Sequence, residues 1–359
     1  MGANFDLFST AQMLKAVEQM PRIYSFLADT FARDDGMCED ERALYDYRKG
    51  SETGLAPFVV PGTGGVAINR DGFEIKEIQF TTLAPERVLT LEDVSSRMFG
   101  EAVTGALTPE QRAKRVMARD LTELRAMVQA RREWMVRELL LKGKLEIKRY
   151  TKEGLEKEHS LVANFGQVQT YTPQTAWDQA GAKIGDDMEK IFDLVYDGLG
   201  DVDTMVMGEG VFEAMSQANN NFVKMLDIDH VVLDEIRSHY MGQGVRYRGT
   251  NRDGVNMYSY SGHFRGEDRS MVPHIPKGWI LFGSANNKPA KIMHGPINKF
   301  TGFDENASLH TYIKKEVPFR VGGSESDSIA TRLVSRPTVM PENITGWAIA
   351  KVLTTNGNA

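Results

Sequence analysis

The chain has almost no cysteine: Cys38 is the only one in 359 residues. A single thiol cannot close an internal disulfide or build a thiolate metal cluster, and this scarcity fits a reducing compartment. Cys38 sits in Arg33-Asp34-Asp35-Gly36-Met37-Cys38-Glu39-Asp40, where acidic neighbours oppose the thiolate, so we read it as unreactive. No run approaches the roughly 20 apolar residues of a membrane-crossing helix. The start, Met1-Gly2-Ala3-Asn4-Phe5-Asp6, lacks the basic residues and apolar core of a signal peptide and is poor as a myristoylation signal. The expectation is a protein made and kept in the cytoplasm. There is no basic excess either. With 43 Lys and Arg against 49 Asp and Glu, the net charge is -6, which argues against a dedicated nucleic-acid binder.

Signatures of catalysis are also missing. No GxxxxGK[ST] phosphate loop is present, and the nearest glycine cluster, Gly62-Thr63-Gly64-Gly65, follows Pro61 without opening a helix whose amides would hold phosphate. There is no HExxH, no CxxC and no GxSxG. The histidines, His159, His230, His239, His263, His274, His294 and His310, are too scattered for helical metal spacing. Asp227-Ile228-Asp229-His230 has the right atoms for a metal but reads better as an exposed loop between helices. Nothing local marks Ser51 or any other serine as the nucleophile of a triad. No catalytic, cofactor-binding or metal-binding residue is therefore assigned.

What the chain does have is an ordinary globular composition, 41% apolar and 26% charged, with 33 glycines that favour loops and turns over a helical bundle. Thr10 is expected to cap a first helix carrying Met13, Leu14, Val17 and Met20 on one face, ended by Pro21. A second apolar segment follows through Ile23, Phe26, Leu27, Thr30 and Phe31. Residues 50–90 predict a long hairpin, with Phe58-Val59-Val60 and 73–82 as strands and Asn69-Arg70-Asp71-Gly72 as a turn. A long hairpin is marginal alone in water, so it needs something to pack on.

The strongest local signal spans 108–143. Thr108 with Gln111 makes a capping box, Pro109 suits the first helical position, and Gly143 is a stop. Met117, Leu121, Leu124, Val128, Met135 and Leu139 form one stripe of a helix over 109–142, about 50 Å long. Its arginines, at 112, 115, 119, 125, 131, 132 and 137, read as a solvated face paired in part with Glu123, Glu133 and Glu138. A second hairpin is expected over 144–166, and residues 167–182 look loop-like. Beyond 183 the pattern is mixed. It predicts helices at 184–199 and from 210, the latter resuming through Met225 and Leu226. Strands are predicted at 203–207, 255–260, 278–283, 290–294, 312–319, 329–333 and 347–353.

This order of elements resembles the major capsid protein E family of lambda-like tailed phages, which has the Hong Kong 97-type fold. The stretches that carry the likeness are Thr10-Ala11-Gln12-Met13-Leu14, Leu139-Leu140-Leu141-Lys142-Gly143-Lys144, Ile275-Pro276-Lys277-Gly278-Trp279-Ile280-Leu281-Phe282-Gly283 and Leu333-Val334-Ser335-Arg336-Pro337-Thr338-Val339-Met340-Pro341. The resemblance implies an α+β capsid fold. Residues 1–45 would be an N-terminal arm and 46–92 an extended loop. Residues 93–182 would form a peripheral domain with the spine helix and the following hairpin, 183–334 a mixed α/β axial domain with returning peripheral-domain strands, and 335–359 a C-terminal peripheral strand. It also implies self-association into hexamers and pentamers of an icosahedral shell. That shell would enclose double-stranded DNA without sequence-specific binding. Partners would be a scaffold with its protease, a portal and, as in many shells of this family, a decoration protein, with assembly in the host bacterial cytoplasm. Some shells of this fold crosslink through a loop Lys and a neighbour's Asn. Lys76 is the only Lys in the predicted hairpin strands and nothing marks an Asn partner, so no crosslink is expected. Two other readings stand beside this one: an encapsulin-like compartment shell, and a soluble enzyme whose site assembles only in the fold.

Overall fold

The computed structural model describes residues 9–21, 23–47, 74–95, 108–151, 154–198, 200–216, 226–227, 244–251, 253–266, 269–301, 308–321 and 328–354. The chain opens with α1 (Thr10–Gln19), whose cap is Ser9: its hydroxyl accepts the Gln12 N–H, one residue earlier than expected. After the break at Pro21 comes α2 (Phe26–Phe31), buried at Phe26, Leu27, Ala28, Thr30 and Phe31. It runs directly into β1 (Ala32–Met37), and then β2 (Arg42–Tyr47) follows. β3 (Glu74–Gln79) pairs antiparallel with β2, from Arg42 opposite Gln79 to Tyr47 opposite Glu74. So the expected strand over 73–82 exists as Glu74–Gln79 and contains Lys76, and among the described residues it pairs with β2. The proposed partner Phe58-Val59-Val60 and the turn 69–72 lie outside the described residues. β4 (Glu86–Thr90) and the short α3 (Leu91–Ser95) lead to the spine.

The long helix α4 is Pro109–Lys142, 34 residues. Thr108 Oγ1 accepts the Gln111 N–H at 3.3 Å, and Gln111 Oε1 accepts the Thr108 N–H at 3.0 Å. These bonds satisfy helix-end donors that would otherwise be orphaned. At the other end Gly143 turns the chain with φ 65°, and a Cβ there would collide with the Gly166 carbonyl. Glycine is therefore required on both counts. β5 (Lys144–Thr151) and β6 (Gly154–Asn164) then form the expected hairpin.

The remaining elements are β7 (Gln169–Tyr171), α5 (Ile184–Asp197), β8 (Thr204–Met207), α6 (Val211–Ser216), β9 (Leu226–Asp227), β10 (Val245–Asn251), β11 (Asn256–Tyr260), β12 (His263–Arg265) and β13 (Met271–Pro273). They continue with β14 (Trp279–Gly283), β15 (Ala290–His294), β16 (Ile297–Thr301), β17 (Ser308–Tyr312), β18 (Val317–Val321), β19 (Ser328–Val334), β20 (Pro337–Pro341) and β21 (Ala348–Lys351). The central sheet has seven strands in the order β7-β21-β14-β8-β11-β10-β9. Its two faces bury different cores because side chains alternate along a strand. Met205, Met207, Ile280, Phe282, Ala348 and Ala350 pack under α5 and α6. Val206, Leu281, Ile349, Tyr258 and Tyr260 face α2 and the C-terminal half of α4. Cover on both faces explains why β8 and β14 read as unbroken apolar runs.

Several expectations need correction. Residues 167–182 are not all loop: β7 pairs parallel with β21, and Trp177 is fully buried with its Nε1 donating to Asp187 at 3.0 Å. The single strand expected at 312–319 is two, β17 and β18, separated by a bend. Leu226 belongs to β9, opposite Asn251, and not to a resumed helix. β20 went unanticipated because it begins and ends in proline. It lies at the edge of the sheet β1-β15-β20, where a missing N–H is tolerated. The last strand, β21, lies between β7 and β14 in the central sheet.

Candidate functional site

The long helix has two unlike halves. In the first, Leu121, Leu124 and Val128 are buried with Met13, Val17 and Leu333, while the opposite face meets water. There Arg119 pairs with Glu123 at 2.8 Å and Lys114 with Glu110 at 3.3 Å, the one-turn spacing expected of a solvated face.

In the second half the expectation fails. Glu133, Arg137 and Glu138 are buried among Met135, Val136, Leu139, Leu140 and Leu141. Glu133 accepts the backbone N–H groups of Leu27 and Ala28, each at 2.8 Å, and the Tyr260 hydroxyl at 3.4 Å. One carboxylate thus joins the first turn of α2, the spine and strand β11. Burial pushes its pKa up to about 7; the two amides and Tyr260 oppose the rise, and the charge of Asp29 adds to it. Arg137 is 2% exposed. Its Nε donates to the His274 carbonyl at 2.9 Å, its Nη1 to Glu138, and its guanidinium lies 5.4 Å from the Phe264 ring centre. Glu138 also receives Lys142 at 3.0 Å. His274 stacks on Tyr260 with ring centres 5.1 Å apart, and burial, with the Arg137 charge, lowers it to about 4. Trp347 donates its Nε1 to the Leu140 carbonyl at 2.9 Å. This constellation is a mechanical joint: its charged groups are spent holding backbone and each other. The signal that could have revealed it is the apolar run around these charges, since a helix apolar all round has no water for them to face.

A second polar group lines a cavity of about 750 Å³ between the N-terminal segment, the spine and the β17–β18 bend. Arg125 Nε donates to Glu316 at 2.9 Å, and its Nη1 reaches the carbonyls of Met20 and Pro21 at 3.1 and 3.2 Å. Asp34 receives Lys315 at 2.6 Å and lies 3.5 Å from Arg132. Burial raises the Asp34 pKa, but the Lys315 hydrogen bond and charge, with His294 and Arg132, leave it lowered overall. His294, 4.0 Å from Asp34, is lowered to about 3, chiefly by burial and then by the Arg132 charge, and is neutral. These groups, too, mainly tie segments together, and no set of three metal-ligating side chains converges among the described residues.

The residues weighed in the sequence are not brought together. Cys38 is half-buried against the main core, its N–H bound to the His294 carbonyl at 2.7 Å. Asp227 lies in β9, while 228–230, Ser51, the glycines 62–65, His230 and His239 lie outside the described residues. His159 is in β6, His263 in β12, His294 in β15 and His310 in β17, with His274 just after β13.

What the molecule offers instead is a set of narrow two-stranded ribbons. Four of its seven sheets among the described residues have only two strands: β2–β3, β5–β6, β12–β13 and β16–β17. On the β16–β17 ribbon Phe300 and Leu309 are cross-strand partners, 72% and 57% exposed.

Comparison with known proteins gives this geometry a context. Residues 9–352 match the family model described as phage major capsid protein E. No curated protein sequence matches. Among solved structures, a prophage capsid protein from E. coli CFT073 is similar at 16% identity and TM-score 0.65, covering 96% of this chain and 98% of that one. A phage-related protein from Bordetella bronchiseptica RB50 follows at 10% identity and TM-score 0.49, with 94% of each chain covered. The mature capsid of bacteriophage PhiM1 gives 12% and 0.45, covering 94% of this chain and 89% of that one. Only the first is close enough to carry the fold.

Proposed function

The chain belongs to the phage major capsid protein E family, and we propose that its uncovered ribbons are the surfaces by which copies join into hexamers and pentamers of a closed shell. Its fold is the α+β Hong Kong 97-type capsid fold, and it is a shell-forming structural protein of a phage particle, not an enzyme. The observation that carries the proposal is the set of two-stranded sheets. A two-stranded ribbon is marginally stable in water and needs a further layer to bury its apolar side. This chain has four of them among the described residues, and three carry exposed apolar side chains: Val162 on β6, Met271 on β13, and Phe300 and Leu309 on β16–β17. Neighbouring copies supply the missing layer, each contact weak and many of them repeated by symmetry.

On this reading the segment before residue 46 is the arm, and 46–92 is the loop that reaches a neighbour from the β2–β3 base. The spine, the β5–β6 hairpin and the sheet β18-β19-β4 form the periphery, and the seven-stranded sheet with α5 and α6 is the body that meets its copies at each axis. The shell is assembled in the bacterial cytoplasm with a scaffold and a portal, and it encloses double-stranded DNA. A net charge of -6 suits enclosing DNA without gripping it.

The test is the particle size of the purified chain by sedimentation and negative-stain microscopy, with and without a co-expressed scaffold. Shells, tubes or isolated rings of five and six copies are expected. A compact monomer or dimer under every condition, scaffold included, overturns the reading.

A further inference from the structure

The exposed pair on the β16–β17 ribbon and a groove elsewhere on the surface fit one another. Phe300 and Leu309 face each other across the ribbon on the side away from the core, whereas Ile297 and Tyr312 on the opposite side pack with Val317 and Phe319. On the outer side, Thr311 donates to Asn298 at 2.8 Å and Asn298 to Glu41 at 2.9 Å. These bonds place the exposed acidic turn Glu39-Asp40-Glu41 at the foot of the apolar pair. The ribbon end is therefore apolar with an acidic flank.

The groove has the converse character. It measures about 540 Å³ and lies between the segment after β3, the spine and β5. Phe80, Trp134 and Ile147 supply apolar lining, and Arg131, Lys148 and Arg336 bring three cations. Its carboxylate, Glu146, is paired with Lys144 at 2.7 Å. The Arg131 guanidinium lies 4.9 Å over the Trp134 ring. Arg336 donates to the carbonyl of Pro296, just before β16, at 2.6 Å, so the groove abuts the root of the ribbon. Phe300 lies about 13 Å farther along the strand, at about 3.3 Å per residue. Its exposure shows that the groove of the same copy does not cover it.

We propose that the Phe300–Leu309 face of one copy seats in the groove lined by Phe80, Trp134 and Ile147 of a second copy, with Glu39-Asp40-Glu41 set against Arg131, Lys148 and Arg336. This deepens the shell reading and rests on it. The contact joins two different surfaces, so repetition about an axis closes a ring instead of stopping at a pair. Phe300 and Leu309 are 72% and 57% exposed, so covering both buries about 250 Å² of the ribbon, well short of the roughly 1,200 Å² at which a specific two-body complex becomes stable. The contact therefore forms in the assembled shell and not between free subunits.

The test replaces Phe300 with the photoreactive p-benzoylphenylalanine and assembles shells from an equal mixture of heavy-isotope and light chains. After irradiation, crosslinked peptides are read by mass spectrometry. Heavy–light adducts to peptides containing 79–84, 131–135 or 146–148 are expected. Adducts to the ribbon of another copy, to residues 48–73, or only within one copy overturn the proposal, although shells have formed and the shell reading stands. The label at Leu309 serves if the larger ring at 300 blocks assembly. Independently, Phe300→Asp is expected to leave the melting of the free subunit unchanged and to lower shell yield at least tenfold. Shells at the native yield from Phe300→Asp overturn the contact. Failure of the native chain to assemble at all overturns the shell reading instead.

Discussion

The two halves of the spine helix carry similar residues in different surroundings. In the first half Arg119 and Glu123 pair in water on a free face; in the second Arg137 and Glu138 pair with almost none. The first pair is one helical turn apart and the second consists of adjacent residues, and what packs against each decides whether water reaches it. α2, β11 and the loop carrying His274 close over the second half, whereas α1 and β19 cover only one side of the first. A charge on a helix is decoration where water remains and a joint where it does not.

The sharpest way to break this comparison is at Arg137. Arg137→Ala leaves Glu138 buried without its nearest cation and strips the donor from the His274 carbonyl. Removing one member of a buried pair costs about 3–5 kcal/mol. Denaturant unfolding of the free subunit is expected to show a loss of that size. A loss below about 1 kcal/mol would mean that water reaches this half as well.

Next in size is the pH response of Glu133. Its pKa is about 7 in the folded chain, against an ordinary value of 4.5. The folded state therefore holds more protons between those two values, and its stability falls as pH rises through that window. The stabilisation is fully present below about pH 4.5 and is lost as pH passes about 7, with an amplitude on the order of 3 kcal/mol. Unfolding free energies measured from pH 5 to 8 are expected to decline, and Glu133→Gln is expected to flatten that decline. A slope identical in Glu133→Gln and the native chain would place the titrating group elsewhere.

What could be read in advance follows the same division. The ends of the spine helix were legible to the residue, because Thr108, Pro109, Gln111 and Gly143 act on their own backbone neighbours and need no tertiary partner. The family was legible because it is a property of element order. Glu133 and Arg137 were misread because their partners, Leu27, Ala28 and His274, lie more than 100 residues away in sequence. β7 and β20 were missed for a related reason. A three-residue strand and a strand flanked by prolines carry little local preference, and pairing with β21 and β15 makes them strands. The candidate surfaces were legible only as an expectation of exposed hairpins. Which apolar side chains remain uncovered depends on ribbon register, as with Phe300 opposite Leu309.

A smaller effect is expected at the start of the helix, where structure is locally specified. Thr108→Ala removes the acceptor for the Gln111 N–H and opens the capping box. Loss of a cap costs about 1 kcal/mol, a shift in denaturation midpoint well below that of Arg137→Ala.

The smallest effect should come from Arg119→Ala. Its 2.8 Å pair with Glu123 is as short as many buried contacts, so a ranking by distance alone would place it high. Both side chains remain solvated, however, and Glu123 has a second cation in Arg87 at 2.5 Å. Water and Arg87 take over what Arg119 gave up, and the freed side-chain entropy offsets part of the loss. The melting temperature of the free subunit should match the native value within experimental scatter, at low and at high salt. A clear drop that grows as salt is removed would show that the first half of the spine depends on its charges as the second half does, and the contrast between the two would then be one of degree.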